Sequence, residues 1–360
     1  MKIFFYINVL GGGGAERVVA NLANQLAVVN HDVTVVTSYL IENEYTLNKG
    51  VKRYQLENEQ YQDGFLQRNI RRVWRLRKLL KRENPDILIS FMAEPNYRAI
   101  IASLGLRTKT LISVRNDPNR EYAGKIGNLL GRYLLPLADG CVFQTEDAKN
   151  WFPLKLQNKS KIIFNAVRED FYHVKRNPVK GTIVTCGRLN EQKNHKMLIQ
   201  AFEIIAQKFE DVNLHIYGEG NLRNELTEFI QSKGLEERVI LKGATSDVEG
   251  VLASADIFVM SSDYEGMPNA LMEALTVGVP CISTDCPCGG PRMLIKNGEN
   301  GLLVPVGDSI EMADGIERIL VNKEMKNRFG QNARESASLY HSDRVFREWQ
   351  TYIEGVCNEF

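Results

Sequence analysis

Short apolar runs alternate with longer amphipathic stretches through both halves of the chain. KIFFYIN predicts a strand, AERVVANLANQLAVVN a helix and DVTVVTS a second strand. A basic helix follows around residues 65–82, then the strands DILISF, TLISV, CVFQT and KIIFNAV. The pattern restarts at GTIVTCG and continues through the helix HKMLIQAFEIIAQKF, the strand VNLHIYG, the helix LRNELTEFIQSKG and the strands RVILKG, IFVMSS, PCISTD and GLLVPV. Near-continuous apolar strands separated by helices describe parallel sheets covered on both faces. Two rounds of the pattern predict two doubly wound α/β domains, residues 1–167 and 168–341, with the polar stretch 168–181 as linker. Residues 342–360 predict a closing amphipathic helix carrying Phe346, Trp349 and Tyr352.

The chain length of 360 residues agrees with two domains, and 44% apolar with 25% charged residues describes a folded chain. A net charge of +1 means that any basic surface is local. Six scattered cysteines read as reduced cytoplasmic thiols. Cys281, Cys286 and Cys288 cluster, but no CxxC or nearby histidine completes a zinc set, so no metal is expected. MKIFFYINVL runs into glycines rather than a cleavage site and reads as a buried strand. No apolar stretch reaches the ~18 residues of a membrane span. The expectation is a soluble or peripherally attached protein.

Ligands of doubly wound sheets bind beyond the carboxyl ends of the strands. That rule points to NVLGGGG, FMAEPN, SVRNDPN, TCGRLNEQKN, YGEGN, SSDYEGMPN and TDCPCGGP. The Gly11–Gly14 loop opens a helix and lets backbone approach an anion or a sugar. It is not a dinucleotide fingerprint, because the third glycine of G-x-G-x-x-G falls on Glu16 and the second strand ends without an acid. Arg188 and Lys193, five residues apart, suit a diphosphate whose charge grows as it leaves. Glu265 precedes a helix opened at Pro268, and Glu273 stands about five residues inside it, roughly 7 Å along the axis. Either glutamate alone is explained by the helix dipole, worth about 0.3–1 kcal/mol. Together with the backbone of Gly266, Met267, Pro268 and Asn269, they suit a polyhydroxylated ligand that carries negative charge.

E-x7-E before ALMEALTVGVPCISTD, with GRLNEQKN upstream and GLLVPVGD downstream, resembles the family 4 glycosyltransferases. The resemblance runs from GGAERV to GLLVPVGD. It implies the GT-B fold, two Rossmann-like domains facing an interdomain cleft, and retaining transfer from a nucleotide sugar. By resemblance Glu273 binds the ribose hydroxyls, Glu265 the donor sugar near the reacting carbon, and Arg188 and Lys193 the diphosphate. Gly266 to Asn269 offer backbone to sugar and phosphate, and Gly13 and Gly14 close the cleft from the N-terminal, acceptor-binding domain. No DxD motif is evident, in keeping with metal-independent transfer and no cofactor. SVRNDPN stands where many relatives carry a His-Asp element; it resembles a subgroup that builds bacterial surface polysaccharides and lipid-linked oligosaccharides, with Asn116 and Asp117 as candidate substrate contacts. Met293 stands near a position that is acidic in many relatives.

FLQRNIRRVWRLRKLLKR carries eight cations and no acid. Arg68, Arg71, Arg72, Arg75, Lys78 and Arg82 read as one stripe about 21 Å long, with Ile70, Val73, Trp74 and Leu80 largely opposite. Such a stripe suits anionic lipid or the diphosphate of a polyprenyl-linked acceptor. Nothing else resembles a nucleic-acid module, so no nucleic acid is expected. The expected activity is transfer of a hexose or N-acetylhexosamine from a UDP-sugar to a polyprenyl-diphosphate-linked or polysaccharide acceptor, on the inner face of the cell membrane. Rival readings are a nucleotide-sugar epimerase of the same architecture, which the five histidines serve poorly, and a non-catalytic sugar-nucleotide sensor.

Overall fold

The computed structural model describes residues 1–57 and 64–358. Glu359 and Phe360, the end of the expected closing helix, lie outside the described residues. The chain divides into two units, Met1–Ala166 with Asp343–Phe360, and Val167–Ser342.

The first unit holds a seven-stranded sheet. Its strands are β1 (Lys2–Ile7), β2 (Asp32–Thr37), β3 (Val51–Gln55), β4 (Ile87–Phe91), β5 (Lys109–Ser113), β6 (Gly140–Phe143) and β7 (Ser160–Ile162). They lie in the order β3-β2-β1-β4-β5-β6-β7, and every pair is parallel. Four of the strands match the expected runs closely. The edge strand β3, VKRYQ, is too polar to announce itself, because an edge strand buries little. One sheet face packs against the helix Gly14–Val28 through Val19, Leu22 and Leu26. The helix Ser342–Asn358 covers the same core, with Trp349 stacked on Phe91 at 5.7 Å between ring centroids. The Tyr352 hydroxyl accepts from the Cys141 amide (3.0 Å) and donates to the Lys159 carbonyl (2.6 Å), which ties this helix to β6. The opposite face is covered by the helices Phe65–Glu83 and Ala93–Ser103 through Leu76, Leu79, Leu80 and Ala99.

The second unit holds a six-stranded parallel sheet of β8 (Thr182–Cys186), β9 (Asn213–Tyr217), β10 (Val239–Gly243), β11 (Ile257–Met260), β12 (Cys281–Thr284) and β13 (Leu302–Val304). The order is β10-β9-β8-β11-β12-β13. Two features differ from expectation. Residues 168–181 are not a free linker: Phe171 is buried, and Arg176 donates to the Gly278 and Ala255 carbonyls at 3.0 and 2.6 Å. FMAEPN is not wholly a rim loop, since Ala93 to Asn96 open a helix whose first turn tolerates Pro95. No described helix is long and apolar enough to cross a membrane.

Candidate active site

In the second unit the expected residues gather where β8, β11 and β12 end. After β8 the chain runs through the exposed Arg188 into a turn at Glu191–Lys193. The Asn190 side chain accepts from the Lys193 amide at 3.3 Å, and Asn194, at φ 44°, accepts from the Met197 amide at 3.2 Å to cap the helix His195–Lys208. This loop is bound to the one after β11. Asn194 donates to Asp263 (2.7 Å), Ser261 to the Lys193 carbonyl (2.8 Å), and the Asp263 amide to the Gln192 carbonyl (2.8 Å).

The Lys193 ammonium meets the Glu265 carboxylate at 2.5 Å, and Ser262 donates to the same oxygen at 2.9 Å. Both partners are mostly buried, with side chains 17% and 10% exposed, so water screens the pair weakly. Glu265 is held from behind as well: its amide donates to the Pro287 carbonyl at 2.7 Å, and the Cys288 amide donates to its carbonyl at 3.0 Å. Arg188 forms no ion pair among the described residues.

Glu273 is the fifth residue of the helix Asn269–Val277 and is 8% exposed. Pro268 is the cap rather than the first helical residue, and of the four residues from Gly266 to Asn269 it alone has no N–H to offer. Burial, reinforced by the Glu273 carboxylate, pushes the Cys186 thiol at the end of β8 up to about 12. Burial and Glu265 do the same to Cys286. Both cysteines therefore stay protonated at neutral pH, and the charged groups of this edge are the carboxylates and the two cations. Met293 lies in the short helix Gly290–Leu294, opened by the glycines that follow the cysteine loop.

Gly290 shows how tightly this edge is built. A Cβ there would stand 1.8 Å from the Gly266 carbonyl oxygen. Gly290→Ala therefore pushes the Glu265–Pro268 loop outward. The expected result is a loss of about 10²-fold in kcat, with far-UV circular dichroism unchanged.

His195 was missed by sequence reasoning. It is buried, its Nε2 contacts the Arg188 carbonyl at 3.3 Å, and burial, with a smaller effect from Lys193, lowers its pKa to about 4. A neutral ring donating to that carbonyl fixes the loop that carries Arg188. The unfolded chain takes up this proton near pH 6.5 and the folded one near 4, so stability falls as pH drops through that window. The effect is on the order of 3 kcal/mol, and urea titrations between pH 7 and about pH 4 should show it shrinking in His195→Gln.

In the first unit, Gly13 caps the helix Gly14–Val28, and a Cβ on it would strike Glu16 Oε2 at 2.1 Å. Asn116 and Asp117 bond within their own loop. The Asn116 side chain accepts from the Asp117 amide at 2.9 Å, and Asp117, 3% exposed, caps the next turn by accepting from Asn119 at 3.0 Å. Beside them Arg115 lies over the Phe91 ring, and burial lowers its pKa to about 9. Two further charges escaped notice. Arg98, 3% exposed, donates to Asn8 and Asn69, both at 2.7 Å. Glu121 accepts from the Ala93 amide at 3.0 Å, and burial raises its pKa to about 7. No local pattern distinguishes such buried charges from solvated ones.

The basic helix Phe65–Glu83 is turned differently from the expected stripe. Arg72 faces inward and donates to Glu57 at 2.9 and 2.7 Å; Arg71 reaches the same carboxylate at 3.4 Å, and Arg75 donates to the Leu56 carbonyl at 2.7 Å. Arg82 pairs with Glu83 at 2.8 Å, and Arg68 is half-buried. Ile70 and Trp74, expected to lie largely opposite the cations, are 62% and 60% exposed. The reason is periodicity: Arg72 lies on the same helical face as Leu76 and Leu79, and the aliphatic contacts of that face fix the rotation. Lys78 remains exposed, 5.4 Å from the Trp74 ring centroid.

Residues 12–171 match Glycosyltransferase Family 4 and residues 168–336 match Glycosyl transferases group 1. The chain is 28% identical over 99% of both chains to the GalNAc-alpha-(1->4)-GalNAc-alpha-(1->3)-diNAcBac-PP-undecaprenol alpha-1,4-N-acetyl-D-galactosaminyltransferase of Campylobacter jejuni. It is 27% identical, over 98% of its own length and 100% of the relative, to the N-acetylgalactosamine-N,N'-diacetylbacillosaminyl-diphospho-undecaprenol 4-alpha-N-acetylgalactosaminyltransferase of the same organism. Among solved structures, HepE of Anabaena in complex with UDP superposes with a TM-score of 0.82 at 17% identity, covering 99% of this chain and 100% of HepE. The sucrose-phosphate synthase of Thermosynechococcus elongatus superposes with a TM-score of 0.85 at 16% identity, covering 99% of each. Two Rossmann-like units, each overlapping one matched domain over most of its length, agree with these likenesses: the chain belongs to the glycosyltransferases of GT-B fold that join a family 4 domain to a group 1 domain.

Proposed function

We propose that this glycosyltransferase moves a hexose or N-acetylhexosamine from a UDP-sugar to a polyprenyl-diphosphate-linked oligosaccharide or a surface polysaccharide, with retention and without a metal. The observation that carries the reading is the Lys193–Glu265 pair at the carboxyl edge of the second sheet, with Arg188 exposed beside it. Glu265 holds Lys193 in place, and the arriving diphosphate draws Lys193 and Arg188 onto its oxygens. The bond from the anomeric carbon to the UDP phosphate oxygen breaks while the acceptor hydroxyl oxygen bonds to the same face of that carbon. The departing phosphate takes the hydroxyl proton, so no covalent sugar–enzyme bond is needed. Growing negative charge on the phosphate is met by the two cations, and Glu265 orients the sugar and favours its cationic transition state. Glu273 binds ribose hydroxyls. The first unit supplies the acceptor side, with Gly13, Gly14, Asn116 and Asp117 at its rim. The chemistry of the acceptor follows the relatives, whose names specify undecaprenyl-diphosphate-linked sugars. Work at the inner membrane surface follows from it, with Lys78 among the exposed cations drawn to anionic lipid.

The test is a panel of nucleotide sugars offered with a polyprenyl-diphosphate sugar acceptor in EDTA, followed by nucleoside diphosphate release and product mass. Acceptor-dependent release from one donor is expected, and Glu273→Ala should raise the donor KM about tenfold or more by removing its ribose contact. Isomerisation of a donor without acceptor would replace this reading by an epimerase, and binding without turnover across the acceptor panel would replace it by a sensor.

A further inference from the structure

The outward face of the helix Phe65–Glu83 is an apolar ridge. Leu66, Ile70 and Trp74 recur every four residues and are 70%, 62% and 60% exposed. A second ridge lies on the crossover from β5 to β6. Ile126, Leu129 and Tyr133, spaced at helical intervals, are 75%, 58% and 71% exposed. The connections β3–β4, β4–β5 and β5–β6 all step across the sheet in one direction, so right-handed crossovers place their helices on one face. The helix Ala93–Ser103 lies between the two ridges and touches both elements. At 8–10 Å per helix spacing, the ridges stand about 20 Å apart. Between them that helix exposes Ile101, and Leu104 is exposed just past its end. Exposed Lys78 and Lys81 accompany the first ridge, and exposed Lys125 and Arg132 the second. Isolated exposed apolar residues are ordinary; two helical ridges with cations at their flanks on one layer are not.

We propose that this helical layer is a lipid-docking surface: both ridges enter the headgroup boundary of an anionic bilayer while the flanking cations hold its phosphates. The choice of occupant rests on charge and on the acceptor. A protein partner would have to match two apolar ridges and a cationic flank at once, whereas an anionic membrane presents both chemistries everywhere. The inference deepens the functional reading above, since it rests on a lipid-linked acceptor that never leaves the membrane. Two ridges also do what one basic helix cannot. A single helix lets the domain roll about its axis, while two contacts about 20 Å apart fix the tilt of the sheet against the bilayer.

The experiment uses the full chain and vesicles of phosphatidylcholine with or without phosphatidylglycerol. The wild type should sediment with the anionic vesicles, and lipids brominated on the acyl chain should quench its fluorescence. Trp349 is buried and Trp151 is half-buried beside Gly131, so the report of the first ridge is the part of the quenching that disappears in Trp74→Phe. Ile70→Ser with Trp74→Ser, and separately Ile126→Ser with Leu129→Ser, should each weaken binding by about tenfold or more. Far-UV circular dichroism should stay unchanged, since all four residues are exposed. Transfer to a short-chain, water-soluble acceptor should also be unchanged, which keeps the two readings apart. If no acceptor is ever glycosylated, the functional reading falls while the vesicle data still decide the surface. The surface is overturned if the wild type ignores anionic vesicles, or if it binds without bromolipid quenching. It is equally overturned if either pair of substitutions leaves binding intact, or if light scattering shows a dimer that those substitutions dissolve.

Discussion

Lys193→Ala should lower kcat/KM for the sugar donor by about 10²–10³-fold, read as nucleoside diphosphate release at saturating acceptor. Two effects combine in that figure. The leaving diphosphate loses one of its two cations where charge grows during bond breaking. Glu265, 7% exposed and bonded by Lys193 and Ser262 to the same oxygen, is also left with less compensation. The double variant Lys193→Ala with Glu265→Gln isolates the second effect through stability, since Glu265 also orients the sugar and its loss costs turnover by itself. If the stranded charge matters, urea stability lost in Lys193→Ala returns in the double variant. Lys193→Arg should rescue only in part. The lysine stem packs close to Gly187, and a planar guanidinium presents its charge and donors in a different geometry from a compact ammonium. A turnover loss below about threefold in Lys193→Ala would remove Lys193 from the diphosphate contact.

Trp349→Ala should destabilise the first unit by about 3–5 kcal/mol. The indole is 1% exposed, stacks on Phe91 and lies in the core formed with β1, β4 and the helix Gly14–Val28. It belongs to the last helix of the chain, so its loss also loosens the tie that Tyr352 makes to β6. Urea unfolding followed by circular dichroism should show the first unit melting at lower urea, while the transition of Val167–Ser342 stays in place. A shift smaller than about 1 kcal/mol would mean that the helix is held by its other buried residues, Val345, Ile353 and Val356.

Much of the second sheet's edge was legible as sequence. Arg188, Lys193, Glu265 and Glu273 follow strands whose apolar runs are unmistakable, and a parallel sheet delivers whatever follows its strands to one edge. Spacing placed Glu273 one turn and a half into a helix. It did not reveal that Lys193 would meet Glu265 at 2.5 Å, because that contact joins residues 72 positions apart through loops after different strands. His195 looked like one of five unremarkable histidines until burial lowered its pKa.

The basic helix shows where reading by pattern reverses. Eight cations on an amphipathic segment suggest a charged outer face, and local periodicity alone allows it. The fold chose otherwise, because Glu57 sits beneath the helix and neutralises Arg72 while Leu76 and Leu79 fill the core. That left Ile70 and Trp74 outside.

By itself, then, the order of apolar and polar residues determined two parallel α/β domains and the charged groups that follow their strands. Those depend on periodicities of two and 3.6 and on chain connection rules, which are local. Only the tertiary structure decided which charges are paired, which are buried and which helix face meets water. Those depend on the free energy of burying each charge beside the partner that long-range packing brings to it, and no window of neighbouring residues contains that partner.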